Sequence, residues 1–143
     1  MKNVFLVLCL LLSTLTFAQR EWGGVDKNTV TLKEIAPIWP GCESNNVRQR
    51  DACFDKKLMQ HVVKNFKYPA EEYKKNVQGK VIVNFIINEK GLVEIKNVTG
   101  GSPGLQAEAK RNIEAIPKMK PGMMAGKPRA INYTVPFNFK TGK

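Results

Sequence analysis

The sequence has few of the residues on which enzymes most often rely for catalysis. Histidine occurs once, as His61, so a histidine-based site would have no second histidine to use. The Gly-x-Ser-x-Gly, His-Glu-x-x-His and Gly-rich phosphate-loop patterns are all missing. The sequence therefore predicts no catalytic residues and a protein that is not an enzyme.

Long apolar runs are missing except at the N-terminus. Lys2 precedes an apolar run from Val4 to Leu12 that extends weakly to Phe17, and Thr16-Phe17-Ala18 has the small residues of a signal-peptidase site. The run is shorter than the roughly 20 residues that a membrane-spanning helix needs. We therefore predict that residues 1–18 are a signal peptide cleaved after Ala18. Retention of this segment as an inner-membrane anchor is the alternative.

Cysteine is also scarce, and no Cys-x-x-Cys motif is present. Cleavage after Ala18 leaves Cys42 and Cys53, and an even pair in an exported protein is typical of a disulfide. Such a bond would contribute roughly 2–3 kcal/mol, mostly by restricting the unfolded chain. A zinc site formed with His61 would lack a fourth ligand and the usual ligand spacing. The sequence thus predicts a Cys42–Cys53 disulfide, no metal and no small-molecule cofactor.

Acidic residues are outnumbered by basic ones, 12 to 23, which gives a formal net charge of +11. This excess would suit nucleic acid or anionic polymers of the cell envelope. The lysines are scattered, however, and few aromatic residues lie between them to stack on bases. We therefore predict a solvated basic surface and no nucleic-acid partner.

Apolar spacing of three and four residues predicts a helix from Cys53 to Phe66. Its single apolar stripe consists of Phe54, Leu58, Met59, Val62, Val63 and Phe66. A short second helix is predicted from Pro69 to about Lys75. A third is predicted after Ser102-Pro103, which suits an N-cap followed by proline in the first turn.

Alternating apolar residues predict two paired strands in the middle of the chain. The first carries Val81, Val83, Phe85 and Ile87 on one face, and Asn88 to Gly91 suits a hairpin loop. In the return strand, Val98 has the wrong parity for the core. A bulge near Lys96-Asn97 would correct it. Residues 118–128, rich in proline and glycine, are predicted to form a loop.

A last strand is predicted from about Arg129 to Phe139, with Pro136 inside it. Proline donates no backbone hydrogen bond, so within a sheet it is confined to edges and bulges. Because amides alternate sides along a strand, Pro136 belongs to the set that faces away from the sheet. We therefore predict an edge strand whose free pairing side lies near Ala130 to Thr134.

The region from Tyr68 to Phe139 contains these signals in an order that resembles the C-terminal domain of TonB energy transducers. The residues that carry the resemblance are Tyr68-Pro69, Gly79, Gly91, Pro121-Gly122, Gly126-Lys127-Pro128, Pro136-Phe137 and Phe139. The resemblance implies an α+β fold, with a small antiparallel sheet in β-β-α-β order and helices packed on one face. The organisation it suggests is residues 19–53 as an N-terminal helical extension and residues 54–143 as the TonB-like domain.

The resemblance also implies a periplasmic protein that binds another protein. In the family, an extended segment of an outer-membrane receptor, the TonB box, adds to the last strand by β-augmentation. Carried over to this chain, the partner-binding residues are Ala130, Ile131, Asn132, Tyr133 and Thr134, with possible support from Lys67, Tyr68 and Pro69.

Two departures from the family pattern limit what the resemblance implies. A full transducer has a transmembrane helix and a long Pro-rich spacer, and this sequence shows neither. Lys67 also occupies the place where some family members have a glutamine before Tyr-Pro. We therefore expect a module that serves or modulates energy-coupled transport. The alternative is an envelope scaffold that uses the same fold to bind another protein or an anionic wall polymer. A free edge would also permit a homodimer.

Overall fold

The computed structural model describes residues 34–44 and 46–142, which lie within one compact unit. The predicted signal peptide and its cleavage site lie outside the described residues. The helices are α1 (Val47–Asn65), α2 (Ala70–Lys74) and α3 (Pro103–Glu114). The strands are β1 (Glu34–Ile35), β2 (Gly79–Ile87), β3 (Val93–Thr99), β4 (Gly122–Met124), β5 (Lys127–Arg129) and β6 (Ile131–Phe139). They form two antiparallel three-stranded sheets, so the α+β class predicted from the sequence is confirmed.

The sheet with the longer strands, which we call the larger sheet, has the strand order β3-β2-β6, with β2 at its centre. β2 pairs with β6 along its whole length, from Gly79 opposite Phe139 to Ile87 opposite Ile131. Every second residue of β2 is buried, as the sequence alternation predicts. Helix α3 covers this face through Leu105, Ala109 and Ile113, each fully buried. The core therefore lies between one face of the larger sheet and its helices.

The predicted bulge is present in β3. Asn97 pairs with Asn84 and Ile95 pairs with Phe85, so Lys96 is the extra residue between them. The shift places Val98 opposite the buried Val83, where it packs against the core. The bulge thus restores the inward parity that the sequence alone denies to Val98.

The predicted hairpin loop between β2 and β3 requires glycine at Gly91. This residue has φ +76°, and a Cβ atom there would meet the Met119 carbonyl. The Met119 amide donates to the Gly91 carbonyl at 3.0 Å, so the loop is fastened to the segment after α3. Any side chain at this position would disrupt that contact.

The helix caps follow the sequence signals closely. Ser102 Oγ accepts a hydrogen bond from the Leu105 amide, and Pro103 is the first residue of α3, as predicted. Helix α2 begins at Ala70, with Pro69 as its N-cap and not its first residue. Helix α1 starts at Val47, earlier than predicted, and Asn46 caps it by accepting from the Gln49 amide.

The structure corrects the prediction for residues 118–128. These residues do not form a simple loop, since β4 and β5 pair as a hairpin and β1 pairs with β4. The hairpin turns at Ala125 (φ +52°) and Gly126 (φ +75°), two successive left-handed residues that suit a two-residue turn. Ala130 separates β5 from β6, so the last strand begins at Ile131 and not at Arg129.

Two further findings concern the part of the chain that the structure describes. None of its helices combines the length and apolar character needed to cross a membrane. Nor do His, Cys, Asp and Glu side chains of residues 34–44 and 46–142 form a group of three that could hold a metal ion.

Candidate functional site: the free edge of β6 and the helix beside it

Strand β6 lies at the edge of the larger sheet, and among the described residues it pairs with β2 alone. Pro136 lies opposite Ile82 within this pairing. Since proline has no N–H to donate, and since backbone groups alternate sides along a strand, Asn132, Thr134 and Asn138 share its outward orientation. No described residue outside the sheet makes a backbone hydrogen bond to β6. The outward amides and carbonyls of this strand are therefore open to an added strand.

The five predicted partner-binding residues fall into three groups. Asn132 and Thr134 are exposed and present their backbone groups to the free edge. Ile131 and Tyr133 pair with Ile87 and Phe85 of β2, so their backbone groups face inward. Ala130 precedes the strand. The residues thus lie together, but only two of them are oriented for pairing with a further strand.

Tyr133 has a structural role that its place in the predicted site does not indicate. Its ring packs between Phe54 of α1, at 5.0 Å between centroids, and Phe85 of β2, at 5.6 Å. Burial raises the pKa of its hydroxyl well above the usual value, and the carboxylates of Asp55, Asp51 and Glu34 raise it further. Tyr133 therefore joins α1 to the sheet beneath the edge.

The predicted supporting residues Lys67, Tyr68 and Pro69 lie at the other end of β6. The Tyr68 hydroxyl donates to the Val77 carbonyl at 2.6 Å, and its ring meets that of Phe139 at 5.5 Å. The Lys67 amide donates to Glu108 Oε1 at 2.9 Å, while its side chain is exposed. This cluster holds the segment between α1 and α2 against the C-terminal end of β6, away from Asn132 and Thr134.

Helix α1 is fastened to the segment that precedes it by an aromatic contact and a disulfide. Phe54 is 2% exposed and meets the buried Trp39 edge to face, with ring centroids 5.9 Å apart. The predicted disulfide between Cys42 and Cys53 is present, with Cα atoms 5.7 Å apart. It joins the first half of α1 to the turn that follows Trp39.

Hydrogen bonds fasten the second half of α1 to α3. His61 Nε2 donates to the Asn112 carbonyl at 2.9 Å, and the Asn112 side-chain amide donates to the Val62 carbonyl at 2.9 Å. The Asn65 side-chain amide donates to His61 Nδ1 at 3.2 Å, so both ring nitrogens have a hydrogen-bond partner. The single histidine is thus a structural connector between two helices.

A groove runs between α1 and β6, and we call it the α1–β6 groove. It is lined by Asp55, Leu58, Met59 and Val62 of α1 and by Val135 and Pro136 of β6, and has a volume of about 520 Å³. A neighbouring hollow continues it past Val63 and Phe66 to Phe137 and Asn138. Apart from Asp55 and Asn138, these side chains are apolar. The groove therefore offers apolar contacts directly beside the outward backbone groups of β6.

The sequence predicted the apolar stripe of α1 but not the groove. Phe54, Leu58 and Val62 face the domain, whereas Met59 and Val63 are each 71% exposed. Helical spacing shows that residues share a side of a helix, but it does not show how far a neighbouring strand covers that side. The only signal for the groove in the sequence is the width of this apolar stripe, which exceeds what one neighbouring strand can cover.

The charged side chains of the domain surface are only partly paired. The four ion pairs among the described residues are Lys74–Glu71, Lys96–Glu94, Lys110–Glu114 and Arg111–Glu108. None of them includes the lysines of α1, so Lys56, Lys57 and Lys64 have no described anionic partner within ion-pair distance. Lys56 and Lys64 flank Met59 and Val63 on the outer surface of the helix.

Solved structures provide a limited comparison. The chain is similar to the NMR solution structure of residues 179–285 of Helicobacter pylori TonB-CTD, with 20% identity and a TM-score of 0.46. That match covers 61% of this chain and 79% of that chain. A second NMR solution structure, of residues 194–285 of the same domain, matches with 19% identity and a TM-score of 0.44, covering 63% and 96%. No curated protein matches the chain.

The family assignment rests on the sequence of the domain itself. Residues 64–141, more than half of the chain, match the family model for the Gram-negative bacterial TonB protein C-terminal domain. The matched range begins at the last turn of α1 and includes all of the larger sheet. It covers the stretch from Tyr68 to Phe139 that suggested the resemblance. The chain belongs to the TonB C-terminal domain family.

Proposed function

We propose that this protein is a periplasmic, non-enzymatic binding module that recognises a segment of a TonB-dependent outer-membrane receptor by β-strand addition to β6. The observation that supports the proposal is the unpaired edge of β6, with the exposed Asn132 and Thr134 directing their backbone groups outward. Main-chain hydrogen bonds to such an edge provide affinity for an extended peptide with little regard to its side chains.

The domain is suited to hold this edge in place before a partner arrives. β6 pairs with β2 over nine residues, and its inward side chains Phe137 and Phe139 are 3% and 1% exposed. A peptide would therefore meet a strand that is already ordered, so little conformational entropy remains to be lost by the protein on binding. In this role the module would serve energy-coupled transport or modulate it by competing with full-length transducers.

An amide NMR titration tests this function directly. The chain without its predicted signal peptide is titrated with synthetic peptides from the N-terminal periplasmic segments of TonB-dependent receptors of the same organism. We expect the largest chemical-shift changes at Asn132 and Thr134, persisting at high salt. The variant Thr134→Pro removes one outward amide and should weaken binding.

The opposite result would favour the envelope scaffold. The described lysines without anionic partners, including Lys56 and Lys57, are the observation behind that second function. Shifts spread over lysines and abolished by salt would indicate binding of an anionic wall polymer, since exposed charge interactions are screened within about 10 Å at 0.1 M salt. Such a result would contradict strand addition.

A further inference from the structure

Helix α1 precedes most of the family-matched region, yet it forms one wall of the groove beside the free edge of β6. Only its last two residues fall within residues 64–141. The inference below rests on the proposed function, because it concerns the peptide that β6 would bind. Its subject is what α1 adds to that site.

The exposed apolar residues of α1 are one helical turn apart on the side next to the groove. Met59 and Val63 are separated by four residues, so their side chains are neighbours on the helix surface. Both are 71% exposed, and Leu58 and Val62 beside them are half-buried at the base of the groove. An apolar side chain in the groove would remove surface of all four from water.

Near Pro136, binding of a peptide strand depends on side-chain contacts, because main-chain pairing is interrupted there. A peptide strand that pairs with Asn132 and Thr134 and continues in register passes Pro136, where the edge has no N–H to donate. Val135 and Pro136 are also the residues that line the groove from the strand side. Main-chain pairing is therefore weakest where apolar contacts are most available.

Asp55 is the charged side chain among the residues that line the groove, and it lies at the end nearer the start of α1. It makes no ion pair with a described residue. An acidic side chain of a peptide would therefore be repelled at this end of the groove, and an apolar one would not.

We propose that α1 and β6 together form a two-part site for an extended peptide segment. One half of the segment pairs with β6 at Asn132 and Thr134. The other half places a branched aliphatic side chain in the α1–β6 groove, against Met59 and Val63. Helix α1 thus selects among segments that the strand edge alone would accept.

The test compares variants that leave the strand edge intact. The double variant Met59→Ser/Val63→Ser removes the apolar wall, and Leu92→Ser is its control, an exposed apolar residue, 43% exposed, in the β2–β3 loop. Because the substituted residues are exposed, both variants should fold. Affinities are measured by calorimetry with the receptor-segment peptide that gives the largest shifts, and with a version carrying Ala for its aliphatic residue.

For the double variant we expect affinity to fall about tenfold, the scale of burying one or two methylene groups. The Leu92→Ser control should bind as the wild type does. The Ala-substituted peptide should lose affinity against the wild type but little more against the double variant, because both changes remove the same contact.

Three other outcomes would overturn the inference, and each has a different consequence for the proposed function. If Thr134→Pro weakens binding while Met59→Ser/Val63→Ser does not, strand addition stands and α1 has no part in it. If no receptor peptide binds the wild type, the proposed function fails and takes this inference with it. If the methyl signals of Met59 and Val63 shift with protein concentration in the absence of peptide, a second copy of the chain occupies the groove.

Discussion

The family-matched region and the residues before it are stabilised by different interactions. Both contribute to the same buried core. Residues 64–141 contain the larger sheet, whose strands pair along their lengths. The described residues before position 64 contribute most of α1, the two-residue strand β1 and the disulfide. Even so, Trp39, Cys42 and Phe54 belong to the buried core. These residues are thus part of the domain's structure, although they lie outside the matched range.

The largest loss of stability in the matched region is expected for Val135→Pro. Val135 lies opposite Val83 in the centre of the sheet, and its amide faces β2. Proline there removes a ladder hydrogen bond and leaves an acceptor in β2 unpaired, at about 1–3 kcal/mol, in addition to the steric cost of the ring. We expect Val135→Pro to lose the folded state, as measured by far-UV circular dichroism and amide NMR dispersion.

The neighbouring position provides the matched control. Thr134→Pro removes an outward amide and an exposed hydrogen bond from its hydroxyl to Asn84 Oδ1, which measures 2.7 Å. We expect this variant to stay folded, with a small loss of stability. Equal effects at both positions would show that the alternation of inward and outward amides in β6 is wrong.

The corresponding substitution in the residues before the matched region is truncation of Phe54. Its ring is buried between Trp39 and Tyr133, so Phe54→Ala removes contacts to the extension and to β6 together. The expected cost is about 3–5 kcal/mol in the free energy of unfolding, measured by urea denaturation. If the extension were a separate unit, the matched region would keep its stability and the denaturation curve would show two transitions.

Removing the disulfide should have a smaller effect. The bond closes a loop between residues 11 apart in sequence, so Cys42→Ser/Cys53→Ser should lower the free energy of unfolding by roughly 2–3 kcal/mol. Treating the wild type with reductant should give a similar loss, and reductant should leave the variant unchanged. A reductant effect on the variant would show that the bond is not the source of the change.

The smallest expected effect is in the alkaline pH dependence, through Tyr133. Its pKa is raised in the folded state, so the neutral hydroxyl contributes stability that is fully present below the unfolded-state pKa of about 10. As pH rises above that value, the unfolded chain releases the proton first and this contribution is lost. We expect Tyr133→Phe to reduce the fall in stability above pH 10, measured by urea denaturation at pH 8 to 11. An unchanged alkaline slope would contradict burial of the hydroxyl.

Local signals in the sequence predicted most of the matched region. Pro136 indicated the edge position of β6, the parity of Val98 indicated the bulge at Lys96, and Ser102-Pro103 marked the start of α3. Each of these depends on the backbone chemistry of a few adjacent residues, so one sequence is enough to recognise it. The β4–β5 hairpin was missed because its strands are three residues long, too short to show alternation.

The parts of the site that the sequence could not predict depend on distant contacts. The sequence pattern places Tyr133 among the predicted partner-binding residues, and the contact of its ring with Phe54, far away in the sequence, is visible only in the structure. The exposure of Met59 and Val63 follows from where β6 lies beside α1, which helical spacing does not determine. The predicted site also contains Ala130, which lies between β5 and β6 because the hairpin that ends at Arg129 moves the start of the last strand from Arg129 to Ile131.

Pro136 also affects whether β6 can pair with β6 of a second copy of the protein. An open strand edge is a template on which further copies can stack into aggregates, and natural proteins interrupt such edges to prevent it. In an antiparallel pairing of two β6 strands, each copy would bring one proline and so lose a hydrogen bond at two points of the shared ladder. A foreign peptide with a full set of amides loses only one. Pro136, which identifies β6 as an edge strand, therefore favours pairing with a peptide of another protein over pairing with a second copy of this chain.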